Sequence, residues 1–162
     1  YALVKDDPVC RVLSARAAWV QADWLSNAPK RAKEVLQQAL VDATTAAENS
    51  VKYPEAWQAL AETNVRLARL AKPRSKLRSK HIAAAEAALQ RTFSMNPFLA
   101  AAKVTQGGLL VLRAKETRDP QTQQNLASEA RLALQAAGQH DPLLRSEMTT
   151  LTKAIESLHP PG

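Results

Sequence analysis

At 162 residues the chain has room for one domain with a sizeable core, or for a short stack of helical repeats. Its one cysteine, Cys10, excludes an internal disulfide and any cysteine-built metal cage, so burial of apolar side chains must hold the fold. The formal net charge of +7 sits in one segment, where Arg66, Arg69, Lys72, Arg74, Lys76, Arg78 and Lys80 occur with no acid among them; the other basic residues are matched by the 15 acidic ones.

Ala and Leu dominate the apolar fraction, aromatics make up only 4%, and four glycines occur, a balance that suits closely packed helices better than strands. No apolar run approaches the roughly 20 residues that span a bilayer, the longest being Gly107 to Leu112. A soluble chain is expected, and the single cysteine favours a reducing, cytoplasmic setting. Beginning at Tyr1 without a charged-then-apolar leader, the sequence reads as part or mature form of a longer chain.

Four dipeptides punctuate the chain: Asp7-Pro8, Tyr53-Pro54, Asn96-Pro97 and Asp141-Pro142, with prolines 46, 43 and 45 residues apart. Proline fits the first turn of a helix and stops the one before it, so this spacing predicts a stack of helix pairs. In the first helix Val9, Val12, Leu13, Val20 and Trp24 form the apolar set, ended near Ser26-Asn27-Ala28-Pro29 with Asn27 as cap. The next runs from about 30 to 50, with Val35, Leu36, Ala39, Leu40, Ala43 and Ala47 on one face. In the second pair, Trp57, Leu60, Ala61, Leu67, Ala68 and Ala71 make one stripe and Ile82, Ala85, Leu89 and Phe93 the other. Residues 98–114 are apolar nearly all round, which predicts burial between neighbours, and Leu126, Ala130, Leu134 and Ala137 mark their partner helix. The last helix carries Leu144, Met148, Leu151, Ile155 and Leu158 on one face and polar residues elsewhere, the pattern of a cap, before a frayed tail Pro160-Pro161-Gly162.

Several of these positions resemble the tetratricopeptide repeat (TPR), whose helices place Trp, Leu, Gly and Tyr, then Ala, Phe and Ala, at fixed steps before a closing Pro. Trp57 and Leu60 stand at the first two steps, Ala61 replaces Gly, and Asn64 replaces Tyr. Before Pro97, Ala85 and Leu89 stand at the small-residue and Phe steps and Thr92 where Ala is usual; before Pro142, Ala130, Leu134 and Ala137 fill all three. Small residues let paired helices approach while large ones fill the gaps, so substitution by similar sizes preserves the pattern. The period exceeds the standard of about 34 residues, with segments 72–79 and 115–122 lengthening the turns within pairs. The resemblance implies an all-α helical-repeat solenoid (TPR-like) over 1–162, with repeats at about 8–53, 54–96 and 97–141 and a capping helix at 142–158.

Asn96-Pro97-Phe98-Leu99-Ala100, the run from Gly107 to Ala114 and Asp141-Pro142-Leu143-Leu144-Arg145 also resemble the repeat region that follows the catalytic domain in some bacterial serine/threonine protein kinases. That resemblance implies a sensing or docking region. No glycine-rich phosphate loop, His-Arg-Asp run or Asp-Phe-Gly is present, so no phosphoryl transfer is expected.

Searching for other chemistry leaves little. His81, His140 and His159 stand far apart and read as exposed or turn residues, and no nucleophile elbow surrounds Cys10 or a serine. Gly107-Gly108 follows no strand and reads as a close helix contact. Trp19, Trp24 and Trp57 lie on apolar stripes and read as core. No catalytic, cofactor or metal residues are expected. The expected work is non-catalytic binding of a protein or peptide, with Gln58, Asn64, Lys103 and Gln106 as candidate groove residues interrupting apolar first helices. The basic run, with Lys72 to Lys80 as a mobile loop, would attract an acidic partner, or alternatively nucleic acid or anionic lipid, although no aromatic for base stacking lies within it.

Overall fold

The computed structural model describes residues 7–141 and 144–158, and over these the chain is all-α. The expected junction proline Pro142, the turn residue His159 and the tail Pro160-Pro161-Gly162 lie outside the described residues, as does Tyr1. Seven helices occur among the described residues: α1 Pro8–Trp24, α2 Pro29–Asn49, α3 Pro54–Leu70, α4 Lys76–Met95, α5 Ala100–Glu116, α6 Pro120–His140 and α7 Arg145–Glu156. They divide into two compact units, Tyr1–Met95 and Asn96–Gly162.

Local chemistry sets the helix starts. Proline opens α1, α2, α3 and α6, where its missing N–H costs nothing because the first turn has no intrahelical acceptor for it. Asp7 Oδ1 accepts from the Val9 amide at 2.7 Å, and Asp119 Oδ2 from the Thr122 amide at 2.9 Å. Asn27 does not cap α2; that position falls to Ala28, with no side-chain bond. The α5–α6 turn is also shorter than the 115–122 expected, since the Asp119 cap lets α6 begin at Pro120.

In the first unit α1 to α4 form two adjacent pairs. The α1–α2 pair is antiparallel: Arg11 and Ser14, early in α1, donate to the Asp42 carboxylate late in α2 at 3.1 and 2.9 Å. The core is built of alanine, with Val12, Ala15, Ala39, Ala43, Ala46, Ala47, Ala56 and Ala59 in one cluster joining α1, α2 and α3. Such short side chains let helix axes approach closely. Half-buried Trp19, Tyr53, Trp57 and Leu60 fill what the alanines leave.

The apolar set expected for α1 needs correcting. Val12 is buried, but its buried companions are Ala15 and Ala22 with Trp19 half-buried, whereas Val9, Leu13, Val20 and Trp24 face outward. Size misled here: an alanine core takes the small face of α1 and leaves the bulky one uncovered.

In the second unit α5 is the buried helix, with Val104, Leu110, Val111 and Ala114 packed on Leu126, Ala127, Ala130, Leu134 and Ala137 of α6 and on Leu151 and Ile155 of α7. The near-continuous apolarity of residues 98–114 thus has its expected outcome in α5. At Gly107 α5 lies close against α6, because a Cβ there would stand 3.0 Å from Leu134 Cδ2. Helix α7 closes this unit with Leu151 and Ile155 inward and Leu144, Met148 and Leu158 packed around them.

Candidate functional site

Of the residues expected to line a groove, Gln58 and Asn64 are each only 3% exposed, and their side chains serve the helix packing. The Asn64 amide donates to the Leu60 carbonyl at 2.9 Å, and its Oδ1 lies 2.9 Å from His81 Nδ1 on α4. Arg16 on α1 reaches Gln58 Oε1 at 3.5 Å. Lys103 and Gln106 are half-buried on α5, in the second unit. An amide at the step where the repeat pattern has an aromatic therefore acts as a polar latch between α3 and α4.

His81 is thereby half-buried rather than a solvent or turn histidine. Since Asn64 Oδ1 accepts, Nδ1 must carry the proton. Burial first, then Lys80 and Lys33, hold its pKa below the ordinary histidine value of 6.5. A histidine with a depressed folded pKa contributes stability that is complete above the unfolded value and declines as pH falls below it. Thermal melts between about pH 8 and pH 5 should show this decline, and His81→Gln, which keeps a donor to Asn64, should flatten it. Parallel profiles in the two proteins would contradict that assignment.

The basic segment is not a mobile loop. Helix α4 already begins at Lys76, because Ser75 Oγ accepts from the Arg78 amide at 3.2 Å and caps the first turn. The turn before it is tight, with Arg74 in the left-handed region at φ 57° and the Ser75 amide donating to the Lys72 carbonyl at 3.2 Å. Two of the seven cations are withdrawn from the surface: Arg78 is buried, and Arg66 is held by Glu62, Asp23 and the Trp19 ring. Arg69, Lys72, Arg74, Lys76 and Lys80 remain exposed.

A different feature has the shape of a binding site. On the α3–α4 pair lies an open groove of about 650 Å³, floored by Leu60, Ala84 and Ala88 and walled by Trp57, Arg91 and Ser94. Trp57 is anchored by its Nε1–H, which donates to the Val51 carbonyl at 3.3 Å, so the indole is held in place before anything binds. The Arg91 guanidinium stands 5.6 Å from that ring's centre. Arg91 is exposed, and it is the one charged residue in the groove lining. A small-residue floor, an aromatic wall and one cation suit apolar side chains carrying a nearby carboxylate.

Trp57, expected in the core, packs against the alanine cluster and forms a groove wall as well. Trp24, also read as core, is 86% exposed. Sequence reasoning missed Arg91, Ala84 and Ala88, which flank the stripe of Ala85 and Leu89. The available signal was the doubled run Ala83-Ala84-Ala85 and Ala87-Ala88, wide enough to leave small residues outside the packed face as well as on it.

Among the described residues no three His, Cys, Asp or Glu side chains gather as metal ligands, and no helix is long and apolar enough to cross a membrane. No protein family, curated protein or solved structure matched the chain on comparison.

Proposed function

We propose that the chain is a non-catalytic protein-interaction module whose α3–α4 groove receives an apolar, acidic peptide segment of a partner. The groove's composition carries this reading: a preset tryptophan, an alanine floor and the single cation Arg91. Laying the apolar face of an amphipathic segment into such a groove is a recurrent mode of peptide recognition, and Arg91 would select a carboxylate at its rim. TPR-like ancestry, a place beside a bacterial serine/threonine kinase domain and a cytoplasmic setting belong to the same proposal. The first two rest on the quoted motif residues and on the paired helices, the last on the single cysteine.

Peptides selected from a random displayed library by the immobilised chain test it. Selected sequences should combine apolar residues with Asp or Glu, and should bind Trp57→Ala and Arg91→Glu at least about tenfold more weakly, the loss of roughly one good anchor. Enrichment without acids, or binding by both variants as tight as by the unaltered chain, would remove the groove as the binding site. The five exposed cations around the α3–α4 turn favour a second reading, attachment to nucleic acid or anionic lipid. Binding of those ligands that falls steeply with salt and disappears in Lys72→Gln/Arg74→Gln/Lys76→Gln would move the function there.

A further inference from the structure

The outward face of α1 has no role in the groove or in the packing of its unit. Val9, Leu13, Val20 and Trp24 are 48%, 56%, 59% and 86% exposed, and at about 100° per residue they fall within an arc of roughly 60°. Scattered exposed apolar residues are ordinary on a protein surface, but four in one stripe on one helix are not. The opposite face of α1 is fixed against α2 and α3 through Val12 and Ala15, so the stripe is presented on a rigid support.

The stripe is also symmetric along its length. Val9 stands as far before the midpoint, between Arg16 and Ala17, as Trp24 stands after it, and Leu13 and Val20 are placed likewise. A two-fold interface needs a surface that complements itself, each residue meeting another that meets it in return. Laid antiparallel against a second α1, this stripe sets Val9 against Trp24 and Leu13 against Val20 at both ends, the largest side chain facing a small one. Exposed Ala17 lies beside the axis, where a small residue allows close approach. Arg16, at the opposite edge, is turned toward Gln58 of its own chain, 3.5 Å away, and so away from its symmetry mate.

We infer that α1 is a self-association surface on which two copies of this chain pair antiparallel about an axis near Arg16 and Ala17. The exposed parts of the four side chains amount to roughly 500 Å² per copy, so the pairing covers about 1,000 Å² in total, the size at which specific interfaces begin. An interface of that size gives a reversible dimer.

Sedimentation velocity at about 100 μM chain should show mainly dimer, with dissociation on dilution. Leu13→Glu and Val20→Glu should each give monomer with unchanged helical circular dichroism, because both positions are solvent-facing in the isolated chain. In a Cys10→Ser background, Ala17→Cys should form a disulfide-linked dimer under mild oxidation, whereas Val9→Cys should not, its two copies standing about 22 Å apart along the helices. A wild-type chain that stays monomeric, or a dimer that survives both glutamates, would overturn the inference. Linkage through Val9→Cys as readily as through Ala17→Cys would overturn the antiparallel pairing.

Discussion

Replacing Arg66 by alanine should cost the first unit about 2–3 kcal/mol of folding stability. Its Nε donates to Glu62 Oε1 at 2.7 Å, its Nη1 donates to Asp23 Oδ1 at 2.8 Å, and the guanidinium lies 5.4 Å from the Trp19 ring centre. Burial alone would lower its pKa, but the two carboxylates outweigh it, and the group is held above the ordinary arginine value. Breaking a buried pair is costly because the remaining charge stays in a poor solvent, and the Arg66 and Glu62 side chains are only 15% and 13% exposed. Asp23, at 65%, stays solvated and adds little, which keeps the figure below the range for a wholly buried triad. Urea denaturation of Arg66→Ala beside Arg69→Ala, an exposed neighbour expected to change stability by less than about 0.5 kcal/mol, measures the difference. Equal losses in the two variants would mean that Arg66 is an ordinary surface cation.

Ile155→Ala should cost the second unit about 3 kcal/mol and release α7 from α5 and α6. Ile155 is fully buried and, with Leu151, is one of the two α7 residues in that unit's core. A helix of 12 residues is not stable alone in water, so α7 exists because this stripe is covered. Losing three carbons at the centre of the contact removes transfer free energy and leaves a cavity that Met148 and Leu158 can only partly fill. Hydrogen exchange of amides 146–157 should speed up markedly in Ile155→Ala and stay close to wild type in Thr152→Ala, whose residue is exposed. Unchanged exchange in Ile155→Ala would contradict the capping role.

Much of the fold could be read in advance, for identifiable reasons. Proline openings and apolar stripes of large residues are local signals, and they located α2, α3, α5, α6 and α7 to within a few residues. The failures lie where small residues do the packing. On α1, Val9, Leu13, Val20 and Trp24 looked like the inner face because they are bulky, yet Val12, Ala15 and Ala22 are the side that an alanine core accepts. At the start of α4, Pro73 and the serines suggested a loop, while Ser75 is the cap that lets Lys76, Arg78 and Lys80 be helical.

The candidate site was harder to read than the fold. Polarity in an otherwise apolar helix suggests exposure at Gln58 and Asn64, but such a residue is equally at home inside when a neighbour satisfies it, as the Leu60 carbonyl and His81 do for Asn64. The α3–α4 groove depends on which alanines face out, a matter of helix rotation that composition does not encode.

The central claim is that the α3–α4 groove is where a partner peptide sits. Its most direct test is an amide chemical-shift titration of the full chain with a library-selected peptide. The groove account predicts shifts concentrated at Trp57, Leu60 and residues 84–94, together with movement of the Trp57 indole N–H. Shifts confined to residues 69–80, or spread without a maximum at Trp57, would contradict it.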